Sequence, residues 1–165
     1  MLKRSDAIAA LIFLLAGMSP SFAADSGPIL GVWKLLSYEV EPLATGQREF
    51  TPNMGKNPTG NILFTADGRM MVVITGEGRK PATSDQDRAG LYTSVVAYTG
   101  TYRVEGNQWF TKVEVSANPA WVGMEQARFF KVEGDRLQEM TPPMQWALHP
   151  EKGMVRFILT YERAK

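Results

Sequence analysis

Residues 61–75 read NILFTADGRMMVVIT, and this stretch decides the fold. Two apolar, β-branched runs, residues 61–65 and 69–75, flank Ala66-Asp67-Gly68. An Asp-Gly between two such runs marks a hairpin, because the glycine supplies the positive φ that a tight turn matching strand twist requires. The same punctuation recurs outward along the chain. Residues 97–104 and 109–116 are joined by Glu105-Gly106-Asn107, and residues 125–132 and 136–140 by Glu133-Gly134-Asp135. Residues 31–40 (GVWKLLSYEV) open the series and residues 154–162 (MVRFILTYE) close it. Residues 42–58 carry three prolines and several polar residues, and are expected to form a long loop. Only residues 84–94 suggest a helix, capped by Ser84, with Asp85 and Asp87 in the first turn complementing the helix dipole. Gly90 argues that this helix is short. Sequential hairpins imply antiparallel pairing. The expected fold is therefore all-β: an eight-stranded antiparallel up-and-down β-barrel with one short helix.

Composition bounds the function. Of 165 residues, 44% are hydrophobic and 21% charged, as in globular domains. Eighteen basic side chains nearly balance 17 acidic ones, which argues against a nucleic-acid partner. There is no cysteine and one histidine, His149. Disulfides, thiolate metal sites and cysteine nucleophiles are thereby excluded, and no metal or cofactor is expected. No nucleotide-binding, zinc-protease or serine-hydrolase motif occurs.

The N-terminus reads as a secretory signal peptide. Lys3 and Arg4 precede the apolar run of residues 7–17, and Ser21-Phe22-Ala23 supplies a small-residue cleavage pattern. The expected division is a signal peptide over residues 1–23, cleaved after Ala23, and one domain over residues 24–165. Cleavage removes Lys3, Arg4 and Asp6, leaving equal numbers of acidic and basic side chains. The expected location is periplasmic or secreted, with no stable membrane anchor after cleavage. Oligomeric state is left open.

Several segments together resemble the lipocalin-like domain family of bacterial and fungal proteins. They are Gly31-Val32-Trp33-Lys34-Leu35-Leu36-Ser37-Tyr38, Pro58-Thr59-Gly60, Asp67-Gly68-Arg69-Met70 and Tyr98-Thr99-Gly100-Thr101-Tyr102. Asn118-Pro119-Ala120-Trp121-Val122-Gly123, Glu125-Gln126-Ala127-Arg128 and Gly134-Asp135-Arg136-Leu137 continue the match. The resemblance implies a small antiparallel barrel and supplies no agreed catalytic motif. Family members often carry a histidine on the strand equivalent to residues 109–116; this chain has none there. By likeness to lipocalins, Trp33 of the G-x-W would plug the barrel floor against Arg163, or else Arg156, through a cation–π contact.

Period 2 assigns faces to the remaining strands. Tyr98, Gly100, Tyr102 and Val104 share one face, with Gly100 leaving space beside two tyrosines for a ligand or for a neighbouring group. Trp109, Thr111, Val113 and Val115 share another, opposite Phe110, Lys112, Glu114 and Ser116. Gln126, Arg128, Phe130 and Val132 also share a face. An interior Arg128 must be neutralised. Glu114 on the preceding strand is one candidate and an acidic ligand group the other; the alternative is an outward Arg128 in a surface pair. Trp121, on a proline-stiffened loop, is placed at the barrel rim as a lid or as core cover. Met70, Met71 and Met124 are expected to fill gaps, and His149 lies in a loop.

The expected function is binding of a small, mostly apolar or amphipathic molecule inside the barrel, contacted by Tyr98, Tyr102, Glu114, Trp121, Arg128 and Phe130. The alternative is a cofactor-free isomerase or cyclase using polar residues in the barrel, which requires Glu114 and Arg128 to meet in one cavity.

Overall fold

A computed structural model describes residues 27–165; the signal-peptide reading falls on residues 1–23, outside the described residues. The barrel strands are β1 (Gly31–Pro42), β3 (Thr59–Phe64), β4 (Arg69–Thr75), β5 (Val95–Glu105), β6 (Gln108–Ser116), β7 (Glu125–Glu133), β8 (Arg136–Met140) and β10 (Met154–Arg163). Two short strands, β2 (Glu49–Phe50) and β9 (Met144–Gln145), extend the rim against β1 and β10. Each barrel strand pairs antiparallel with its sequence neighbour, and β1 pairs with β10, so the eight strands close. Closure removes the open edges at which a sheet would otherwise recruit other chains. The helix α1 (Asp85–Thr93) begins as expected, with a reciprocal capping box between Ser84 and Asp87.

Two β-bulges break the period-2 reading. On β1 the register shifts between Leu35 and Ser37, so Tyr38 and Val40 join Trp33 and Leu35 on the inner face. On β5–β6, Gly100 pairs with Val113 while Thr99 pairs with Val115, leaving Glu114 as the extra residue. Val115 therefore turns outward and is 64% exposed, not interior as alternation alone suggests.

One end of the barrel is sealed. Trp33 is fully buried and its Nε1 donates to Ile29 O at 2.7 Å, tying the Gly27–Ile29 turn beneath the floor. The Arg163 guanidinium carbon lies 4.1 Å from the Trp33 ring centre, and its Nη1 donates to Leu30 O at 2.8 Å. Arg156 is elsewhere: it bonds Glu41 on the outer face, Nε to Oε1 at 2.7 Å. Phe64 stands at the centre of this end, edge-on to Tyr102 (5.0 Å) and Trp109 (5.1 Å).

Glu41 is little exposed and held by Arg156 and Arg48, whose hydrogen bonds keep its carboxyl below the usual glutamate range. A depressed carboxyl stabilises the fold above its unfolded pKa and loses that contribution as pH falls through the folded pKa. Glu41→Gln is expected to lower the urea midpoint at neutral pH. The gap from wild type should close in acid as the wild-type carboxyl protonates; a gap that is constant with pH contradicts this.

Candidate functional site

Halfway along the barrel the apolar interior gives way to a polar layer. β7 turns Gln126, Arg128, Phe130 and Val132 inward, and β8 turns Leu137 and Glu139 inward. Arg128 Nε donates to Glu139 Oε1 at 3.0 Å, Nη2 to Gln126 Oε1 at 2.7 Å, and Nη1 to Ala127 O at 2.8 Å. The second Glu139 oxygen accepts from the Tyr161 hydroxyl at 2.8 Å. The Arg128 side chain is 16% exposed and that of Glu139 6%. Bonding of this density is what a buried ion pair needs to offset desolvation.

Burial pushes the Tyr38, Tyr98 and Tyr161 hydroxyls above the usual tyrosine range, with the nearby Glu139 charge acting in the same direction. All three therefore remain protonated donors. Burial also pushes the Glu139 carboxyl up, against the downward pull of Arg128 and Tyr161. For Arg128 burial opposes the charge, but the oxygens of Tyr98, Glu139 and Tyr38 outweigh it and hold the guanidinium pKa up.

The layer floors an inner chamber of about 80 Å³ whose walls include Val72, Ile74, Val96, Leu159 and Phe157. Above it lies a vestibule of about 330 Å³ at the open end, walled by residues that include Val96, Trp146, Leu148 and Tyr92. Tyr38, Val96, Trp121, Met144 and Phe157 line both, so the two spaces adjoin. Trp121 sits on the one-turn helix Pro119–Trp121, edge-on to Tyr98 at 5.8 Å. Trp146 is buried between Phe157 (5.5 Å) and His149 (4.2 Å). The His149 ring is thus a packing partner, and its Nδ1 lies 3.0 Å from Glu151.

Four of the residues read from sequence keep an interior or rim position near this layer: Tyr98, Trp121 and Arg128 line the chamber, and Phe130 packs on Trp109 at 5.5 Å just beneath it. Tyr102 does not. It belongs to the sealed end, its hydroxyl donating to Thr65 O at 3.0 Å. Glu114 does not either. It lies on the outer surface, the side that alternation with the buried Val113 gives it, in a two-pronged pair with Arg69 at 3.1 and 2.9 Å. The partner of Arg128 is Glu139, so the acid/base pair of Glu114 with Arg128 that the isomerase reading required is absent. Gly100 leaves no vacancy; the β6 backbone fills the space beside it. Met70 is buried as a gap-filler, whereas Met71 and Met124 are exposed.

Glu139, Tyr161 and Tyr38 are the functional candidates that the sequence reading missed. Alternation along Leu137, Glu139 and Thr141 carried the signal for Glu139, since a fully apolar Leu137 fixes that face as interior. Glu114→Gln is expected to change stability by less than about 1 kcal/mol, the range of half-exposed pairs. Urea titration checks this; a loss several times larger would place Glu114 in the folded core after all.

Fold and site together define a class: a single-sheet closed barrel, sealed at the Trp33 end and open at the Trp121 end, compatible with holding a small molecule. Residues 30–164 match the family model for the lipocalin-like domain, and the chain belongs to that family. No match is found among curated proteins.

Proposed function

We propose that this protein is exported and binds a small, mostly apolar molecule, which enters by the vestibule and reaches the inner chamber. The observation that carries this reading is the continuity of the two spaces. An apolar vestibule of about 330 Å³ adjoins a chamber ending on Arg128, Glu139 and Tyr161. Binding sites for small molecules commonly have that form, with apolar walls that supply affinity and a few fixed polar groups that orient the guest. Trp121 and Met144, which line both spaces, form the neck that such a ligand passes. Export is supported by Lys3, Arg4, the apolar run of residues 7–17 and Ser21-Phe22-Ala23.

Native mass spectrometry of protein purified from its own host without detergent tests the binding reading. A defined adduct lost on denaturation, and weakened by Trp121→Ala, is expected. A bare polypeptide mass, with no tryptophan fluorescence response to a panel of apolar compounds, refutes it. N-terminal sequencing of the mature protein should begin at Ala24; a chain beginning at Met1 in the cytoplasm refutes export.

A further inference from the structure

Among the described residues the two cavities together are lined by one cation and one anion, Arg128 and Glu139, and these are bonded to each other. We propose that the inner chamber selects a neutral hydrogen-bond acceptor, a carbonyl or amide oxygen at the end of an otherwise apolar ligand, and rejects a carboxylate. This rests on the ligand-binding reading above.

Charge decides first. An interior arginine on its own would call for an anionic guest. Here Glu139 already supplies the counter-charge at 3.0 Å, so the layer is neutral before any ligand arrives. A carboxylate entering the chamber would lose its hydration and sit beside the Glu139 carboxylate. Among the described residues no further Lys or Arg lines either space. Both effects oppose it, and in a low-dielectric interior neither is screened.

Donor count decides second. Glu139 offers little to a guest donor, since Arg128 and Tyr161 each occupy one of its oxygens. Arg128 has five N–H groups. Its bonds to Glu139, Gln126 and Ala127 engage one on each nitrogen, and of the two that remain one is directed at the Tyr98 oxygen, whose own proton stays free to donate. Tyr38 and Tyr98 bring two further hydroxyls to the same chamber. The chamber is thus richer in donors than in acceptors, and suits a group that only accepts. Its volume, about 80 Å³, admits a head of a few heavy atoms, while the wider vestibule takes the apolar remainder.

Matched probes of one skeleton test the proposal by calorimetry or tryptophan fluorescence: decanamide against decanoate, and benzylacetone against hydrocinnamate. At neutral pH the uncharged member of each pair is expected to bind about tenfold tighter or more. Glu139→Gln retains the shape of the side chain and removes its charge, so it should shift the preference toward decanoate by about tenfold. Tyr98→Phe, which leaves the charges alone, should weaken decanamide and keep the folded circular-dichroism spectrum; it serves if Glu139→Gln fails to fold. Decanoate binding wild type as tightly as decanamide overturns the selectivity while ligand binding stands. Absence of binding by all four probes, together with a bare mass from the host, overturns both.

Discussion

Gly100→Ala is expected to destabilise the barrel by about 3 kcal/mol or more, whereas Gly90→Ala in α1 is expected to stabilise it by about 0.5–1 kcal/mol. The substitutions are chemically identical and the surroundings decide the sign. A Cβ on Gly100 would lie 1.9 Å from Lys112 O and 2.9 Å from Lys112 C, and no side-chain rotation can relieve a clash with main chain. The β5–β6 ladder would have to separate at its bulge, beside the chamber wall formed by Tyr98. A Cβ on Gly90 would meet nothing within 4 Å, and alanine removes the entropy cost of glycine inside a helix. Urea denaturation of both variants checks the pair. A Gly100→Ala protein within 1 kcal/mol of wild type would mean that β6 does not press on β5 as described.

That bulge also marks where the sequence stopped being legible. The hairpin of residues 61–75 was readable because Asp-Gly fixes a turn within a few residues, and local chemistry is what a sequence displays. The floor was readable because Trp33 and Arg163 lie at the ends of the first and last strands, which closure must bring together. The faces of β1 and β6 were not readable. A bulge inserts one residue, and every side chain beyond it changes sides. Tyr38 was thereby moved inward and Val115 outward, whereas Glu114, the extra residue, keeps the outward side that alternation gives it and meets Arg69. Nothing in residues 109–116 announces the bulge, which lies where the β6 backbone closes on Gly100 of the neighbouring strand. The rim segments Glu49–Phe50 and Met144–Gln145 were missed for a related reason. Two residues carry no periodicity, and these strands exist through pairing with β1 and β10.

Glu139→Leu is expected to cost about 3–5 kcal/mol, the largest loss among the polar positions, because it leaves Arg128 charged inside the barrel with neutral partners alone, Gln126, a carbonyl and the Tyr98 hydroxyl. The guanidinium cannot discharge itself, as its pKa is far above any working pH. The Tyr161 hydroxyl, fully buried, loses its acceptor in the same step. If the loss comes from the stranded charge rather than from packing, removing that charge must recover it. Arg128→Met combined with Glu139→Leu should therefore be markedly more stable than Glu139→Leu alone, and close to wild type. The pair then contributes little net stability: its attraction is largely offset by desolvation. An equally apolar layer would fold as well and would present no donors to a guest. A double variant with wild-type stability and no affinity for decanamide would separate the two roles of the layer, and assign Arg128 and Glu139 to recognition. A double variant no more stable than Glu139→Leu would show that the pair is held for the fold itself.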